Sequence, residues 1–228
     1  MDTVFPFPAL PTLEVLGQSS RFPVRRIYCV GRNYAEHARE MGADPQREVP
    51  FFFGKPSDAV VPGGGDIPYP PATSNLHHEV ELVVALAKGG NDLTLAEAEA
   101  AIYGYAVGLD LTRRDLQSQA KEKGQPWDMA KGFDHSAPVS ALTPVEAVGH
   151  LRSGAIWLSV GGKERQRGAL QDLMWSVPEI ISQLSALVRM APGDLIFTGT
   201  PAGVGPLQRG DQVCCGIDGL GDLRIQIV

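Results

Sequence analysis

The sequence feature that most limits the possible folds is an apolar strand pattern that begins with two acidic residues, Glu79-Val80-Glu81, and continues through the aliphatic residues 82–86. A β-strand sends successive side chains to opposite faces, so Glu79 and Glu81 should point the same way. Burying two carboxylates on a core-like face costs free energy unless a cation compensates them. The stretch alone leaves two interpretations open, a carboxylate metal site and a half-exposed strand with two solvated glutamates.

Short apolar runs bounded by glycine, proline or polar residues recur along the chain and predict further strands. Helices are fewer, and three of them are predicted from Ser/Thr-x-x-Glu capping boxes. Because the strands only sometimes alternate with helices, the pattern predicts an α+β fold with a mixed sheet rather than a doubly wound parallel fold. The capping boxes are Thr94/Glu97, Thr143/Glu146 and Ser176/Glu179, and the predicted strands include residues 26–30, 51–53, 105–109, 155–160, 195–198, 212–215 and 223–227.

The chain of 228 residues has the length of one ordinary to large domain. Residues 1–23 are rich in proline and polar residues without clear periodicity, which predicts an N-terminal extended segment on the surface. No linker divides the remainder, so residues 24–228 are predicted to form a single domain. Within it, residues 51–53 are expected to be a buried strand and residues 112–117 a helical turn or loop.

Composition and charge exclude several classes of partner. A net charge of -6 without a basic cluster argues against nucleic acid or an anionic membrane, and no segment is long and apolar enough to span a bilayer. The three cysteines, Cys29, Cys214 and Cys215, form no CxxC pair and are odd in number, which argues against disulfides and thiolate metal sites. The first residues lack the pattern of a secretory signal, so a cytoplasmic location is expected.

A third acidic residue follows another predicted strand. Asp110 ends the apolar run 105–109, and with Glu79 and Glu81 it would complete a three-carboxylate site. Such oxygen ligands suit Mg²⁺ or Mn²⁺, with Ca²⁺ as a substitute. Cationic and amide donors beside a hard metal suggest stabilisation of an anionic oxygen. The donors that follow along the chain are Arg114, Gln117 and Lys131.

His37 and Glu40 are three residues apart in a predicted short helix, so they should be neighbours on one face. A carboxylate beside an imidazole fixes its tautomer and raises its basicity, as a general base requires. Such pairs are also common on plain helix surfaces. Near the C-terminus, the glycine-rich residues 198–205 lack the ending of a phosphate loop, but they could offer N–H groups and hydroxyls to a carboxylate.

These motifs, in this order, resemble the fumarylacetoacetate hydrolase family. The match runs from about Val24 to the C-terminus, and the ordered set is specific although each motif alone is weak. Within the family, the single-domain form is similar to bacterial fumarylpyruvate hydrolases of gentisate breakdown, and also to acylpyruvases and oxaloacetate decarboxylases. The motifs are Gly31-Arg32-Asn33-Tyr34 with His37 and Glu40, Lys55-Pro56-Ser57, His78-Glu79-Val80-Glu81-Leu82, Gly108-Leu109-Asp110, Arg114-Asp115-Leu116-Gln117, Lys131, and Gly193-Asp194 followed by residues 198–205.

The resemblance implies a mixed β-sheet roll that forms a homodimer, a divalent metal ion and a small 2-oxo acid substrate. The implied reaction is hydrolysis of the C–C bond of an acylpyruvate, first of all 3-fumarylpyruvate, with the His37–Glu40 pair on a mobile lid. By the same match, the metal ligands are Glu79, Glu81 and Asp110, the catalytic residues are His37, Glu40 and Lys131, and the substrate-binding residues are Arg114, Gln117 and Thr200.

Two other function classes use the same residues. The first is a sister reaction, either oxaloacetate decarboxylation or isomerisation of a dienoic keto-diacid. Decarboxylation needs no nucleophilic water, so the His37–Glu40 pair favours hydrolysis, although family decarboxylases can carry the pair too. The second is a non-catalytic binding protein, which the intact carboxylates and lysine disfavour. Arg32 and Tyr34 either contact the far end of the substrate or have a structural role.

Overall fold

A computed structural model describes residues 4–6, 9–42 and 48–228. The strands in these ranges are β1 Thr12–Leu13, β2 Phe22–Pro23, β3 Arg26–Gly31, β4 Phe51–Lys55, β5 Val60–Pro62, β6 Gly64–Ile67, β7 Leu76–His78, β8 Val80–Leu86, β9 Ile102–Leu109, β10 Thr112–Arg113, β11 Ala137–Val139, β12 Thr143–Pro144, β13 Ala155–Val160, β14 Lys163–Ala169, β15 Asp194–Phe197, β16 Gly205–Leu207, β17 Gln212–Ile217 and β18 Leu223–Ile227. The helices are α1 Ala35–Glu40, α2 Leu95–Ala100, α3 Arg114–Lys123, α4 Asp128–Lys131, α5 Val145–Val148 and α6 Val177–Leu187, with 3₁₀ turns at Ser57–Ala59 and Leu170–Asp172. No helix in the described ranges is long and apolar enough to cross a membrane.

The strands form two main sheets and two small ones. The large sheet has the order β4-β3-β15-β8-β9-β11-β5, with β12 also pairing with β9, and the second sheet has the order β14-β13-β17-β18-β6. The small sheets are β10-β7-β16 and β1-β2. Parallel pairs (β3 with β15, β5 with β11, β6 with β18) occur among antiparallel ones. The mixed sheets with few helices confirm the predicted α+β fold.

Strand β8 is the central strand of the large sheet and is buried along its whole length. Its side chains alternate between two apolar clusters, as the pleat of a strand requires. Leu82 and Val84 join a cluster shared with the second sheet and α6, whereas Val83 and Ala85 join a cluster on the other side. Burying each large aliphatic side chain contributes about 1.5–3 kcal/mol. This burial carries Glu81, which precedes the aliphatic run, into the protein interior.

Most described residues of the N-terminal segment are exposed, but three of its apolar residues reach the core. Strands β1 and β2 form a short antiparallel hairpin, and Leu13, Val15 and Phe22 are buried in the second apolar cluster. Val15 also makes a bridge to Leu142. Polar residues separate these three buried residues in the sequence, so they gave no periodic signal. Residues 1–3 and 7–8 of the predicted extended segment lie outside the described residues.

Two further elements differ from the sequence-based expectation. The strand at residues 51–53 was expected to be buried, but β4 is the edge strand of the large sheet, and the Phe51 side chain is 38% exposed. Residues 112–117, expected to be a helical turn or loop, comprise the short strand β10 and the first turn of the ten-residue helix α3, which is longer than expected. This helix ends at Gly124 in the left-handed conformation (φ 62°), which is a common helix C-terminus. Its largely polar sequence hid the helical period.

Two of the three predicted capping boxes are formed. Thr94 with Glu97 caps α2, and Ser176 with Glu179 caps α6. The box predicted at Thr143 is wrong. Because β12 pairs with β9, the backbone of Thr143 is held in a strand, and Pro144 occupies the position before α5 without a side-chain cap.

The unused hydroxyl of Thr143 leads to a first prediction. This residue is buried, and its Oγ1 has no hydrogen-bond partner among the described residues. The substitution Thr143→Val should therefore leave the free energy of unfolding unchanged or raise it by up to about 1 kcal/mol, because it removes an unpaired buried polar group. Urea unfolding measures the effect. As a control, Thr94→Val breaks a formed capping box and should lower stability by about 1 kcal/mol; an equal loss in both variants would contradict the assignment.

Candidate active site

Three acidic residues meet where β8 begins and β9 ends. Glu81 lies in β8, Glu79 lies in the link between β7 and β8, and Asp110 follows β9. The antiparallel register pairs Glu81 with Gly108, which brings Glu79 opposite Asp110, and the Asp110 N–H donates to the Glu79 carbonyl at 2.9 Å. One oxygen of each of the three buried carboxylates lies within 4.8 Å of the others. The structure thus brings together the acidic residues that the sequence singled out, although Glu79 is not within the same continuous strand.

Two glycines allow the close packing around Glu81. A Cβ at position 108, opposite Glu81, would lie 2.7 Å from the Phe197 ring. Gly199 has a φ of +102°, and its N–H donates to Glu81 Oε2 at 2.7 Å. A Cβ at this position would lie 2.8 Å from the Cβ of Asn33. Any side chain at either glycine would displace the core or the loop that contacts the carboxylate.

Lys131 and Arg114 are two of the cationic side chains that contact the carboxylates directly. Lys131, the last residue of α4, places its Nζ 2.6 Å from Asp110 Oδ2 and 2.9 Å from Glu79 Oε2. Arg114, the first residue of α3, donates to Glu79 Oε1 and, at 2.6 Å, to Gln117 Oε1. All five side chains are buried, so these ion pairs are held in a low-dielectric interior where removing one partner is costly.

The charges of the three carboxylates are compensated unequally. Burial raises the pKa of Glu79, but Lys131 and Arg114 outweigh it and hold the pKa below its usual range. Burial also raises the pKa of Glu81, and the neighbouring Asp110 and Glu79 carboxylates raise it further, so the result is well above the usual range. Glu81 is therefore the carboxylate that most needs an additional cation to stay ionised.

The donor set fits a divalent metal ion. Asp110 Oδ1 is buried and accepts no hydrogen bond from the described residues, although Lys55 Nζ lies 2.8 Å away. Glu81, in contrast, forms no ion pair among the described residues, and a buried carboxylate without a cationic partner is costly unless a cation takes it. Carboxylate oxygens are the ligands that hard divalent ions prefer. Glu79, Glu81 and Asp110 are the residues that would hold such an ion.

The His37–Glu40 pair lies on α1 at the same cleft. His37 Nδ1 is 3.2 Å from Glu40 Oε2, and the imidazole is buried. The N–H of Gly203 donates to both Glu40 oxygens, at 3.1 and 3.2 Å. This contact places α1 against the glycine-rich loop that follows β15. Because Glu40 accepts from Nδ1, Nε2 is the nitrogen left to accept a proton.

One cleft gathers all the predicted site residues except Glu40, which lies behind His37. The remaining wall of the cleft is aromatic and cationic. The predicted residues that line it are His37, Glu79, Glu81, Asp110, Arg114, Gln117, Lys131 and Thr200, and the other wall residues include Arg32, Phe51, Phe53, Lys121 and Trp127.

Lys55 supports the site and was missed as a functional residue. It belongs to a motif that carries the family resemblance, but no role was inferred for it. Its buried ammonium pairs with Asp110 and donates to the backbone carbonyls of Leu111, at 3.1 Å, and Lys131. The signal available in the sequence was a single lysine at the end of a run of aromatic residues. If such a strand end is buried, the lysine amine is buried with it and needs several hydrogen-bond acceptors.

Gln166 was also missed. It lies in β14, and its Nε2 donates to Thr200 Oγ1 and to the Pro201 carbonyl, both at 2.8 Å. Its Oε1 accepts from the Val80 N–H at 3.2 Å and lies 2.9 Å from His78 Nδ1. The sequence of β14 predicts an exposed strand, because charged residues surround Gln166. Only the two-residue alternation of a strand indicates that this one side chain points inward.

His77 positions Arg114 rather than joining the acidic cluster. Its Nδ1 lies 3.4 Å from Arg114 Nε, and its Nε2 lies 2.9 Å from Asn75 Oδ1. Burial and the nearby Arg114 charge lower the pKa of His77 to about 4, so the imidazole is neutral at pH 7. A neutral imidazole can accept from the guanidinium and so orient it toward Glu79.

The buried contacts of Gln166 lead to a second prediction. Gln166→Leu should lower the free energy of unfolding by about 3 kcal/mol, because it leaves the Val80 N–H and the Pro201 carbonyl without their buried partner. Urea unfolding measures this loss. Gln183→Leu, on the exposed side of α6, is the matched control and should change stability by less than about 0.5 kcal/mol. Similar losses in both variants would mean that the network contributes nothing specific.

Comparison with known proteins assigns the family. The family model described as "Fumarylacetoacetate (FAA) hydrolase C-terminal" matches residues 26–228. The mixed-sheet fold holds a carboxylate triad, buried lysine and arginine side chains and a His–Glu pair at one cleft, and these features define a metal-dependent enzyme. This chain belongs to the fumarylacetoacetate hydrolase family.

The similar proteins differ in their activities. The crystal structure of a fumarylpyruvate hydrolase from Pseudomonas aeruginosa, in complex with Mn²⁺ and pyruvate, is 52% identical with a TM-score of 0.97, covering 100% of this chain and 99% of that one. The mitochondrial oxaloacetate tautomerase of Mus musculus is 44% identical over 89% of this chain and 91% of its own length. The mitochondrial oxaloacetate decarboxylase of Dictyostelium discoideum is 42% identical over 90% of this chain and 94% of its own. These likenesses confirm the predicted family and its β-sheet roll.

Proposed function

We propose that this protein is a metal-dependent hydrolase that cleaves the C–C bond of an acylpyruvate, with 3-fumarylpyruvate giving fumarate and pyruvate. The observation that carries the proposal is the His37–Glu40 pair, whose imidazole lines the same cleft as the carboxylate triad. Hydrolysis requires a base for the attacking water, whereas loss of CO₂ does not. The 52% identity to the Pseudomonas fumarylpyruvate hydrolase supports this substrate class. A role in gentisate-type aromatic degradation is the part of the proposal that rests on the family resemblance alone.

The carboxylate triad would hold Mg²⁺ or Mn²⁺, with Ca²⁺ as a substitute. When bound, the ion acts as a Lewis acid that polarises the oxygens of a 2-oxo acid. Thr200 would bind the substrate carboxylate. Since its Oγ1 accepts from Gln166, its own O–H proton is free to be donated toward the cleft.

His37 would accept a proton from the attacking water at Nε2, while Glu40 stabilises the resulting imidazolium through Nδ1. The water oxygen forms a bond to C4, the acyl carbonyl carbon. Lys131, Arg114 and Gln117 would stabilise the negative charge that develops on the C4 oxygen. Collapse of this adduct breaks the C3–C4 bond and leaves the electron pair on C3. His37 then returns its proton to C3, so the products are pyruvate and the acid.

The second candidate is tautomerisation or decarboxylation of oxaloacetate, with isomerisation of a dienoic keto-diacid as a further variant. The identities of 44% and 42% to the mouse tautomerase and the Dictyostelium decarboxylase support it. The same carboxylate triad would serve, and His37 would move a proton to or from C3 instead of activating water.

Turnover of fumarylpyruvate, acetylpyruvate and oxaloacetate in the presence of Mg²⁺ or Mn²⁺ separates these candidates. The hydrolase proposal expects kcat/KM for fumarylpyruvate to exceed that for oxaloacetate decarboxylation or tautomerisation by about 100-fold, a barrier difference of about 2.7 kcal/mol. The opposite ratio would assign the protein to the oxaloacetate enzymes.

Oligomeric state and compartment are further parts of the proposal. The resemblance supports a homodimer formed around the predicted domain 24–228, and light scattering of the purified protein tests it. The cysteine usage supports a cytoplasmic location. The tautomerase and decarboxylase relatives are mitochondrial proteins, so imaging or fractionation must distinguish the two compartments.

A further inference from the structure

Two cationic side chains of the cleft have no acidic partner among the described residues. Arg114 and Lys131 pair with Glu79, but neither Arg32 nor Lys121 forms an ion pair in residues 4–6, 9–42 and 48–228. Lys121 is half-buried, and burial together with the nearby Arg114 and Arg32 charges lowers its pKa. Two neighbouring cationic side chains that no carboxylate of the described residues pairs with make this part of the cleft electrostatically complementary to an anionic ligand.

Both cations lie against an aromatic wall. The rings of Phe51 and Trp127 are in edge-to-face contact, with centroids 5.3 Å apart. The Arg32 guanidinium lies 5.7 Å from the centroid of the Phe51 ring, and Lys121 Nζ lies 5.2 Å from that of Trp127. Since the two rings touch, the two cations lie on adjoining parts of one wall.

The backbone at Arg32 holds this side chain in an uncommon conformation. Its φ is +59°, in the left-handed region that non-glycine residues avoid because it costs free energy. The preceding Gly31 pairs with Phe51 across β3 and β4, and a Cβ at Gly31 would lie 2.0 Å from the Phe51 ring. The chain thus accepts strain in the stretch that brings Arg32 beside the aromatic wall.

Helix α3 sets the distance between the two ends of the cleft. Arg114 contacts the carboxylate triad, and Lys121 follows it by two helical turns, about 10 Å along the axis. Residues three, four and seven apart share one helix face, which explains why Arg114, Gln117 and Lys121 all line the cleft.

We propose that Arg32 and Lys121 form a subsite for a second carboxylate at the end of the substrate remote from the metal triad. The proposal rests on the proposed function, because that function places the 2-oxo acid end of the substrate at the carboxylate triad. It assigns the substrate class as extended dianionic 2-oxo acids with a planar apolar middle. The aromatic wall of Phe51 and Trp127 offers a surface for that middle part.

Ligand length distinguishes the candidate substrates. The six C–C bonds of a seven-carbon acylpyruvate diacid, each about 1.5 Å, extend the two carboxylates to about 8 Å apart. The three bonds of oxaloacetate reach only about 4 Å. The remote carboxylate of fumarylpyruvate can therefore contact the cations near Lys121 when its 2-oxo end lies at the triad, whereas that of oxaloacetate falls short.

Binding of two uncleavable seven-carbon ligands tests the subsite without turnover. The ligands are 2-oxoheptanedioate and 2-oxoheptanoate, which differ only by the remote carboxylate, titrated calorimetrically into the Mn²⁺-loaded protein. The wild type should bind the dianion at least about tenfold more tightly. Arg32→Gln and Lys121→Gln should each reduce this ratio several-fold, and the double variant should remove it. Affinity for the monoanion should stay within about twofold in every variant.

Kinetics on fumarylpyruvate and acetylpyruvate provide the second readout. Each substitution should lower kcat/KM for fumarylpyruvate about tenfold and leave that for acetylpyruvate unchanged. Lys123→Gln and Arg189→Gln remove exposed charges away from the cleft and serve as controls for net charge. Equal losses with both ligands, or no preference for the dianion in the wild type, would overturn the subsite. A wild type that prefers the dianion but cleaves no acylpyruvate would instead overturn the hydrolase and leave the subsite standing.

Discussion

Glu81→Gln is expected to abolish tight divalent metal binding and to lower kcat/KM for acylpyruvate cleavage by about 1000-fold, comparable to the loss of a main electrostatic group in an active site. The substitution keeps the shape of the side chain and its contact with the Gly199 N–H, but it removes one of the three anionic ligands. Calorimetric titration with Mn²⁺ measures the affinity, and initial rates measure the activity. Full activity after exhaustive chelation of the wild type would remove the metal from the mechanism altogether.

The same substitution should have the opposite effect on the stability of the metal-free protein. Burial and the neighbouring Asp110 and Glu79 carboxylates raise the pKa of Glu81, so either ionising or protonating this carboxyl costs free energy in the metal-free protein. Neutral glutamine avoids this cost and should raise the metal-free Tm. Mn²⁺ at 100 times its Kd should stabilise the wild type by about 2.7 kcal/mol but leave the variant unchanged. Glu146→Gln, an exposed acid with no formed capping contact, is the control and should retain the full metal response. Equal metal responses in all three proteins would contradict the assigned ligands.

His37→Gln is expected to lower kcat for acylpyruvate hydrolysis by about 1000-fold, because it removes the proposed base that accepts the water proton. Glu40→Gln should lower kcat by about 100-fold, because it removes the group that orients His37 while the imidazole remains. Initial rates at saturating substrate and Mn²⁺ measure both effects. Neither residue belongs to the carboxylate triad, so the Mn²⁺ affinity should stay within about threefold of the wild type.

Glu36→Gln is the matched control for Glu40, since Glu36 lies on the same helix with its side chain exposed, and it should keep wild-type kcat. If both His37→Gln and Glu40→Gln cleave acylpyruvates at the wild-type rate, the pair is not the base. If they lose oxaloacetate tautomerisation but the wild type shows no hydrolysis, the pair instead serves proton transfer at C3.

Much of the fold was predictable because its elements carry local signals. The aliphatic run after Glu81 predicts a buried strand, and the Ser176–Glu179 box predicts the start of α6. The glycine pair at 161–162 predicts the turn that joins β13 to β14. The failures occurred where a local signal competed with a non-local contact. Thr143 has the sequence of a cap, but pairing of β12 with β9 holds it in a strand.

The residues of the site also fall into those that local sequence signals identify and those that depend on non-local contacts. Glu79, Glu81 and Asp110 were identifiable because carboxylates interrupt or end apolar strands, where an unpaired charge is costly. Gln166 and Lys55 were not assigned roles, because their partners lie far away in the chain. Gln166, in the second sheet, donates to Thr200, which follows β15, and Lys55, at the end of β4, pairs with Asp110, which follows β9.

By itself, the sequence determined the α+β class, the central buried strand and the set of residues able to do the chemistry. Local periodicity and residue type decide these properties, because they depend on neighbours within a few positions. Only the tertiary structure decided that β8 and β9 pair in the register that sets Glu79 opposite Asp110, and that Arg32 and Lys121 adjoin one aromatic wall. Such juxtapositions depend on strand pairing and on burial over long chain separations, for which no local pattern of residues provides a signal.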